Sequence, residues 1–247
     1  MEFEIKGNDF QFVEVLLHSG ESFKSEPGAM LYMEDGIKMD TKFFDKQEGG
    51  FFSKLGHTLK RVITGESLAM TYYINTSDVC KKIAFSAEIP GKIISIEIGK
   101  EEFLFQPDAY LCSSPDVDID IEVTRIKTGL FGGEGFILQK LTGKGIAFVN
   151  ACGTIEKIEL NNETIKVDTG SLVGFSKSIE YDIEIVKGLK NVLFSGEGIT
   201  LTKLSGTGIV YIQSMPFKRF ANKIYNAIAP KLTKTNGESS VDIFDSE

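Results

Sequence analysis

Internal repetition constrains the fold of this chain more than any single residue does. The segment Gly133–Phe148 returns as Gly196–Tyr211 in register and without a gap. Gly133-Glu134-Gly135 matches Gly196-Glu197-Gly198, and Lys140-Leu141-Thr142-Gly143 matches Lys203-Leu204-Ser205-Gly206. A fainter copy starts at Gly65-Glu66-Ser67-Leu68-Ala69-Met70 and resumes at Lys82-Ile83-Ala84-Phe85. A second phrase, Phe23–Leu31, returns as Phe103–Leu111 and as Ile165–Val173. Its centres, Glu26-Pro27-Gly28, Gln106-Pro107-Asp108 and Asp168-Thr169-Gly170, carry residues that make turns between strands. The two phrases alternate three times along the chain. Repetition at this period marks one supersecondary unit used repeatedly.

Each unit reads as β-structure. Val117, Ile119, Ile121 and Val123 alternate with Asp116, Asp118, Asp120 and Glu122, the period of two that turns one strand face inward. Ile179, Tyr181, Ile183 and Ile185 alternate with acids in the same way, and Ile37 and Met39 flank Lys38. Single strands cannot bury an apolar face alone, so three units sharing one core are expected. The predicted fold is all-β: a pseudo-threefold, prism-like or barrel-like arrangement with its edges paired away and two short helices added. The expected organisation is a single domain over residues 1–230. Its repeats fall at about 1–85, 86–148 and 149–215, a C-terminal helix at 217–229, and a flexible acidic tail at 231–247.

Composition removes several function classes. The chain has 27 basic and 35 acidic side chains and a net charge of −8, which disfavours nucleic acid as a partner. Its 3 cysteines have no CxxC spacing, so neither a disulfide framework nor a structural zinc site is indicated. The N-terminal Met1-Glu2-Phe3-Glu4-Ile5 lacks the basic start of a signal peptide, and no run reaches the ~20 apolar residues of a membrane span. A cytoplasmic location is expected.

No catalytic set emerges. The 2 histidines, His18 and His57, sit in no metal-binding spacing, and no cysteine stands beside an evident base. The glycine-rich phrases lack GxxxxGK[ST] and lead into strands. No catalytic residue, metal or cofactor is assigned, and an enzyme gains no support. The recurring Glu66, Glu134 and Glu197 admit two readings. They cap turns beside flexible glycines, or they gather near a threefold axis and bind a cation or small basic ligand. The ladder Asp116-Asp118-Asp120-Glu122 reads as a solvated strand face that discourages edge pairing.

Two segments break the β pattern. Phe51, Phe52, Leu55, Leu59, Val62 and Ile63 have helical spacing. Phe217, Phe220, Ala221, Ile224, Tyr225 and Ile228 form an i, i+3, i+4, i+7 stripe, with Lys218, Arg219 and Lys223 outside it. Pro216 precedes this helix and Pro230 is expected to close it. Such a stripe either covers the end of its own domain or rests on an anionic membrane or in a partner's groove. With Phe131, an apolar tip between glycines, the residues Phe217, Lys218, Arg219, Phe220, Lys223 and Ile224 are the candidate contact surface. A homo-oligomer is compatible with the sequence, and Val241-Asp242-Ile243-Phe244 in the tail is a candidate docking peptide.

The phrases Leu59-Lys60-Arg61 with Thr64-Gly65-Glu66-Ser67, and Gly129-Leu130-Phe131-Gly132-Gly133-Glu134-Gly135-Phe136 followed by Gln139-Lys140-Leu141-Thr142-Gly143, resemble the altered-inheritance-of-mitochondria protein 24 family. The resemblance covers roughly residues 1 to 230. It implies the double-stranded β-helix fold of the tryptophan RNA-binding attenuator protein. It supplies no activity and no catalytic residues, since bacterial members are largely uncharacterised and a mitochondrial relative is linked to inner-membrane organisation. RNA and tryptophan binding do not follow from a shared fold. The function expected is a non-enzymatic scaffold or adaptor, with small-ligand or cation binding as the alternative.

Overall fold

The computed structural model describes residues 1–43, 69–124, 136–185 and 200–232. These are predominantly β, with one α-helix. After β1 (Glu2–Lys6), the first set of strands is β2 (Phe12–Leu17), β3 (Ser22–Ser25), β4 (Met30–Met33), β5 (Ile37–Phe43), β6 (Ala69–Asn75) and β7 (Lys81–Ser86). The second is β8 (Gly91–Ile98), β9 (Phe103–Phe105), β10 (Tyr110–Ser113), β11 (Val117–Thr124), β12 (Phe136–Gly143) and β13 (Gly145–Cys152). The third is β14 (Ile155–Asp168), β15 (Leu172–Ser176), β16 (Glu180–Ile185) and β17 (Thr200–Gln213), followed by helix α1 (Phe217–Leu232).

The same antiparallel pairings recur in each set. In the first, β2 and β4 flank β7, while β3 and β5 flank β6. In the second, β8 and β10 flank β13, while β9 and β11 flank β12. In the third, β14 and β17 are long enough to serve twice. Ile155–Leu160 pairs with the end of β17 and Thr164–Asp168 with its beginning, across a bulge at Asn161/Glu163. Asn162 sits there at φ 58°, the left-handed region that asparagine enters most readily among residues with a Cβ. The ladders β3·β10 and β9·β15 join consecutive sets. The result is three sheets, ordered β1-β2-β7-β4, β5-β6-β3-β10-β13-β8 and β11-β12-β9-β15-β17-β14, with β16 on β17.

The Gly-x-Gly of the repeated phrase has a conformational cause. Gly143 and Gly145 hold φ 86° and 144°, which lets the chain step from β12 in one sheet to β13 in another. Gly206 and Gly208, at φ 126° and 156°, occupy the matching place inside β17.

The apolar interior differs from the single shared core expected from sequence, because it divides into three clusters. Val13, Phe23, Phe85, Leu111 and Phe148 belong to the first, Phe105, Tyr110, Leu141, Val149 and Tyr211 to the second, and Leu104, Leu138, Leu172, Phe175 and Val210 to the third. Strand alternation explains the division. Phe103 and Phe105 of β9 face the second cluster while Leu104 between them faces the third. On β13, Ala147 and Val149 face the second cluster and Phe148 the first. A strand buried on both faces supplies two clusters, so the interior has several centres rather than one.

The helix also ends later than expected. It continues through Pro230 to Leu232, because a missing i→i−4 bond in the last turn leaves no following turn to break. The first helical segment, around 51–63, lies outside the described residues.

Candidate functional site

Glu66, Glu134, Glu197 and Phe131 lie outside the described residues, as does the tail from 233 onward. Among the described residues, no three His, Cys, Asp or Glu side chains are grouped to hold a metal ion. Asp116, Asp118 and Asp120 are exposed, and among the described residues Val117–Thr124 pairs on one side, with β12, as a solvated edge strand would. His18 is exposed and bonded to Glu21 at 3.1 Å. Cys112 and Cys152 are buried, and burial pushes both thiols up, away from the reactive thiolate form.

The remaining sequence candidates all stand on α1. The chain leaves β17 through Ser214, whose N–H bonds Thr154 O at 2.9 Å, and Met215, whose N–H bonds Cys152 O at 3.2 Å. Pro216 starts the helix, and its carbonyl accepts from the N–H groups of Arg219 and Phe220 at 3.0 and 3.1 Å. The Arg219 guanidinium donates to Asp168 Oδ2 at 2.9 Å. Asp168 also accepts from Gly170 N–H at 3.0 Å, so the ion pair is held on a preformed turn. An ion pair this exposed is worth about 0–1 kcal/mol. It orients the helix more than it binds it.

Beyond the first turns the apolar stripe is uncovered. Ile224, Tyr225 and Ile228 are 44%, 67% and 42% exposed, and Phe217 is also exposed. Lys218 and Lys223 are exposed on the flanks of the stripe. Of the two sequence readings of this stripe, covering its own domain describes Phe220 and Ala221 alone, which are half-buried. The arrangement is an apolar ridge with cationic margins.

At the base of α1 lies a cleft of about 400 Å³, lined by Ala109, Asn150, Leu172, Val173, Phe217 and Ala221 among others. Gln213 shapes its wall, accepting from Cys152 N–H at 2.9 Å and donating to Gly170 O at 3.0 Å. Asn150 is buried, and its Oδ1 has no hydrogen-bond partner among the described residues. A buried acceptor left unpaired is uncommon and costs roughly 1–3 kcal/mol.

Sequence reasoning passed over a second unusual group, Glu26. It stands in the repeated turn phrase at the place taken by Gln106 and Asp168 in the other copies. Gln106 uses its amide to bond Thr169 O at 2.8 Å, and Asp168 binds Arg219. Among the described residues, no ion pair is seen at Glu26. Burial pushes its carboxyl up to about 7; the Gln139 amide opposes this, and the charges of Asp108 and Glu88 add to it. The signal was an acid in a turn that the chain's own repetition marks as a joint between units.

A family model described as Mitochondrial biogenesis AIM24 matches residues 3–215. The chain belongs to that family. A protein of Streptococcus pyogenes serotype M6, described as uncharacterized, is 30% identical over 227 residues, 91% of this chain and 90% of that protein. An X-ray crystal structure of a Streptococcus pyogenes protein aligns with a TM-score of 0.68 at 26% identity, covering 92% of this chain and 99% of that one. The AIM24 match includes every described strand except the first residue of β1, and it stops before α1.

Proposed function

We propose that this AIM24-family chain is a non-enzymatic scaffold or adaptor that works through α1, holding a basic amphipathic helix against an anionic membrane surface or a partner's groove. The observation that carries this reading is the uncovered ridge of Ile224, Tyr225 and Ile228 beside Lys218 and Lys223. Apolar rows flanked by cations are what an interfacial helix presents to headgroups and acyl chains. Among the described residues no helix is long and apolar enough to cross a membrane, so contact would be at a surface. In the same reading the three strand sets are diverged copies of one unit within a single domain. They are wound as a double-stranded β-helix of attenuator-protein type, a reading the recurring pairings support, and act in the cytoplasm.

Flotation with vesicles of phosphatidylcholine and phosphatidylglycerol tests the reading on the full chain. Binding is expected at low salt and should weaken as salt screens the lysines. Replacing Lys218 and Lys223 together with glutamine should weaken it by roughly 30-fold, at about 1 kcal/mol per cation near an anionic surface. No flotation even at low salt would refute the membrane form of the proposal.

Small-ligand binding is the second reading, favoured by the unpaired Asn150 Oδ1 in the cleft beneath α1. A ligand donating one hydrogen bond there would raise the melting temperature of the native chain and not of Asn150→Leu.

A further inference from the structure

The cleft at the base of α1 is rich in acceptors and short of donors. Asn150 of β13 lines it and is 8% exposed, with its Oδ1 unpaired among the described residues. Gln106 and Gln213 line it as well, but each turns an amide N–H to the protein's own carbonyls, Thr169 O at 2.8 Å and Gly170 O at 3.0 Å. Asp108 adds a carboxylate. Leu172, Val173, Phe217 and Ala221 make the wall apolar. Lys218 also lines the cleft, from an exposed position on α1, where its long stem lets the charge move out into water.

The same imbalance extends one strand further. The turn Pro107–Ala109, which carries Asp108, packs on both β12 and β13. On β12, Gln139 is 5% exposed and its amide donates to Glu26. Its Oε1 is the other buried side-chain atom without a partner among the described residues. Glu26 in turn feels the charges of Asp108 and Glu88. Both orphaned atoms are therefore acceptors. The three carboxylates around them enter none of the ion pairs of the described residues. Among those residues no three acids are grouped to hold a metal ion, whereas an ammonium, with three donors, can use acceptors singly.

We propose that this cleft, on the small-ligand reading given above, takes a free primary amine with an apolar body and no acid group. The ammonium donates to Asp108 and to Asn150 Oδ1, and the body lies against Leu172, Val173, Phe217 and Ala221. A cleft of about 400 Å³ is of the ordinary size for a small-molecule site. A carboxylate on the ligand would meet Asp108, Glu26 and Glu88 as like charges. The occupant supplies what the protein lacks there, donors and positive charge.

Calorimetric titration of the full chain with octylammonium, octanol and octanoate, which have equal numbers of carbons, tests this. Octylammonium is expected to bind roughly 10-fold tighter than octanol, as a charge-assisted bond to a desolvated acceptor would give, and octanoate weakest. Asp108→Asn, at an exposed position, should cut the preference for the amine over the alcohol to about 3-fold or less. Ala221→Phe, which fills the space under α1, should remove binding of all three. Circular dichroism checks that both variants are folded. Octanol or octanoate binding as tightly as the amine would sink the amine assignment and leave a ligand cleft standing. If none of the three binds the native chain, the small-ligand reading of the cleft falls with it. Octylammonium binding unchanged by Ala221→Phe would put the amine elsewhere on this acidic chain and overturn the site.

Discussion

Replacing Phe105 by alanine is expected to lower the unfolding free energy by about 3–5 kcal/mol, the usual range for removing a large ring from a core. Phe105 is fully buried and lies in ladders with both β12 and β15, so its backbone ties the second set to the third. Its ring packs 5.9 Å from Phe103 and 6.3 Å from Tyr211. Collapse into the vacated space is limited. The neighbouring strand comes close because Gly174 has no side chain, and a Cβ there would sit 2.2 Å from Phe105 Cδ1. The surrounding strands are themselves paired on both sides, so a cavity should persist and its cost be felt in full. The effect should register as a lower urea midpoint at unchanged slope. Phe217→Ala, at an exposed position outside the core clusters, should stay within about 0.5 kcal/mol of the native chain. A loss below 1 kcal/mol for Phe105→Ala would mean that this joint is not part of the cooperative core.

The pH dependence of stability should carry the signature of Glu26. Its carboxyl titrates near 4.5 when unfolded and at about 7 in the folded protein, raised chiefly by burial. The folded state therefore holds the proton more tightly. Stability from this group is complete below pH 4.5, declines as pH rises from 4.5 to about 7, and is flat above that. The shift corresponds to a loss of about 1–3 kcal/mol, the upper end applying to full desolvation. Glu26→Gln should match the native chain at low pH, exceed it by that amount above pH 7, and abolish the decline. Urea midpoints measured across the interval check this, and parallel profiles for the two proteins would refute it.

Glu14 acts with the opposite sign in a separate window. Tyr32, Lys6 and Lys82 bond its carboxylate and hold it at about 2. Its contribution is present above pH 4.5 and is lost as pH falls toward 2. The two groups are thus separable in one titration.

How much of this was legible in the residues varies by element. The alternation of Val117, Ile119, Ile121 and Val123 with acids marks a strand, and that stretch is β11. The stripe from Phe217 to Ile228 marks a helix, and it is one, although nothing in the stripe reveals that Ile224, Tyr225 and Ile228 stay uncovered. Leu31 and Leu111 occupy the same place in the repeated phrase, and only the fold separates them: one is exposed at an open edge, the other buried at a joint. Glu26 was passed over for the same reason. An acid in a turn looks ordinary until a neighbouring strand set half-buries it.

Periodicity and repetition are local properties, and they alone determined that this chain would form strands of one recurring kind followed by an amphipathic helix. The tertiary structure decided which edges meet, how the interior divides among three clusters, and which carboxyl is desolvated. Those outcomes depend on pairings between residues as far apart as Lys24 and Ser113, and a strand's own side chains record which faces are apolar but not which neighbour will cover them.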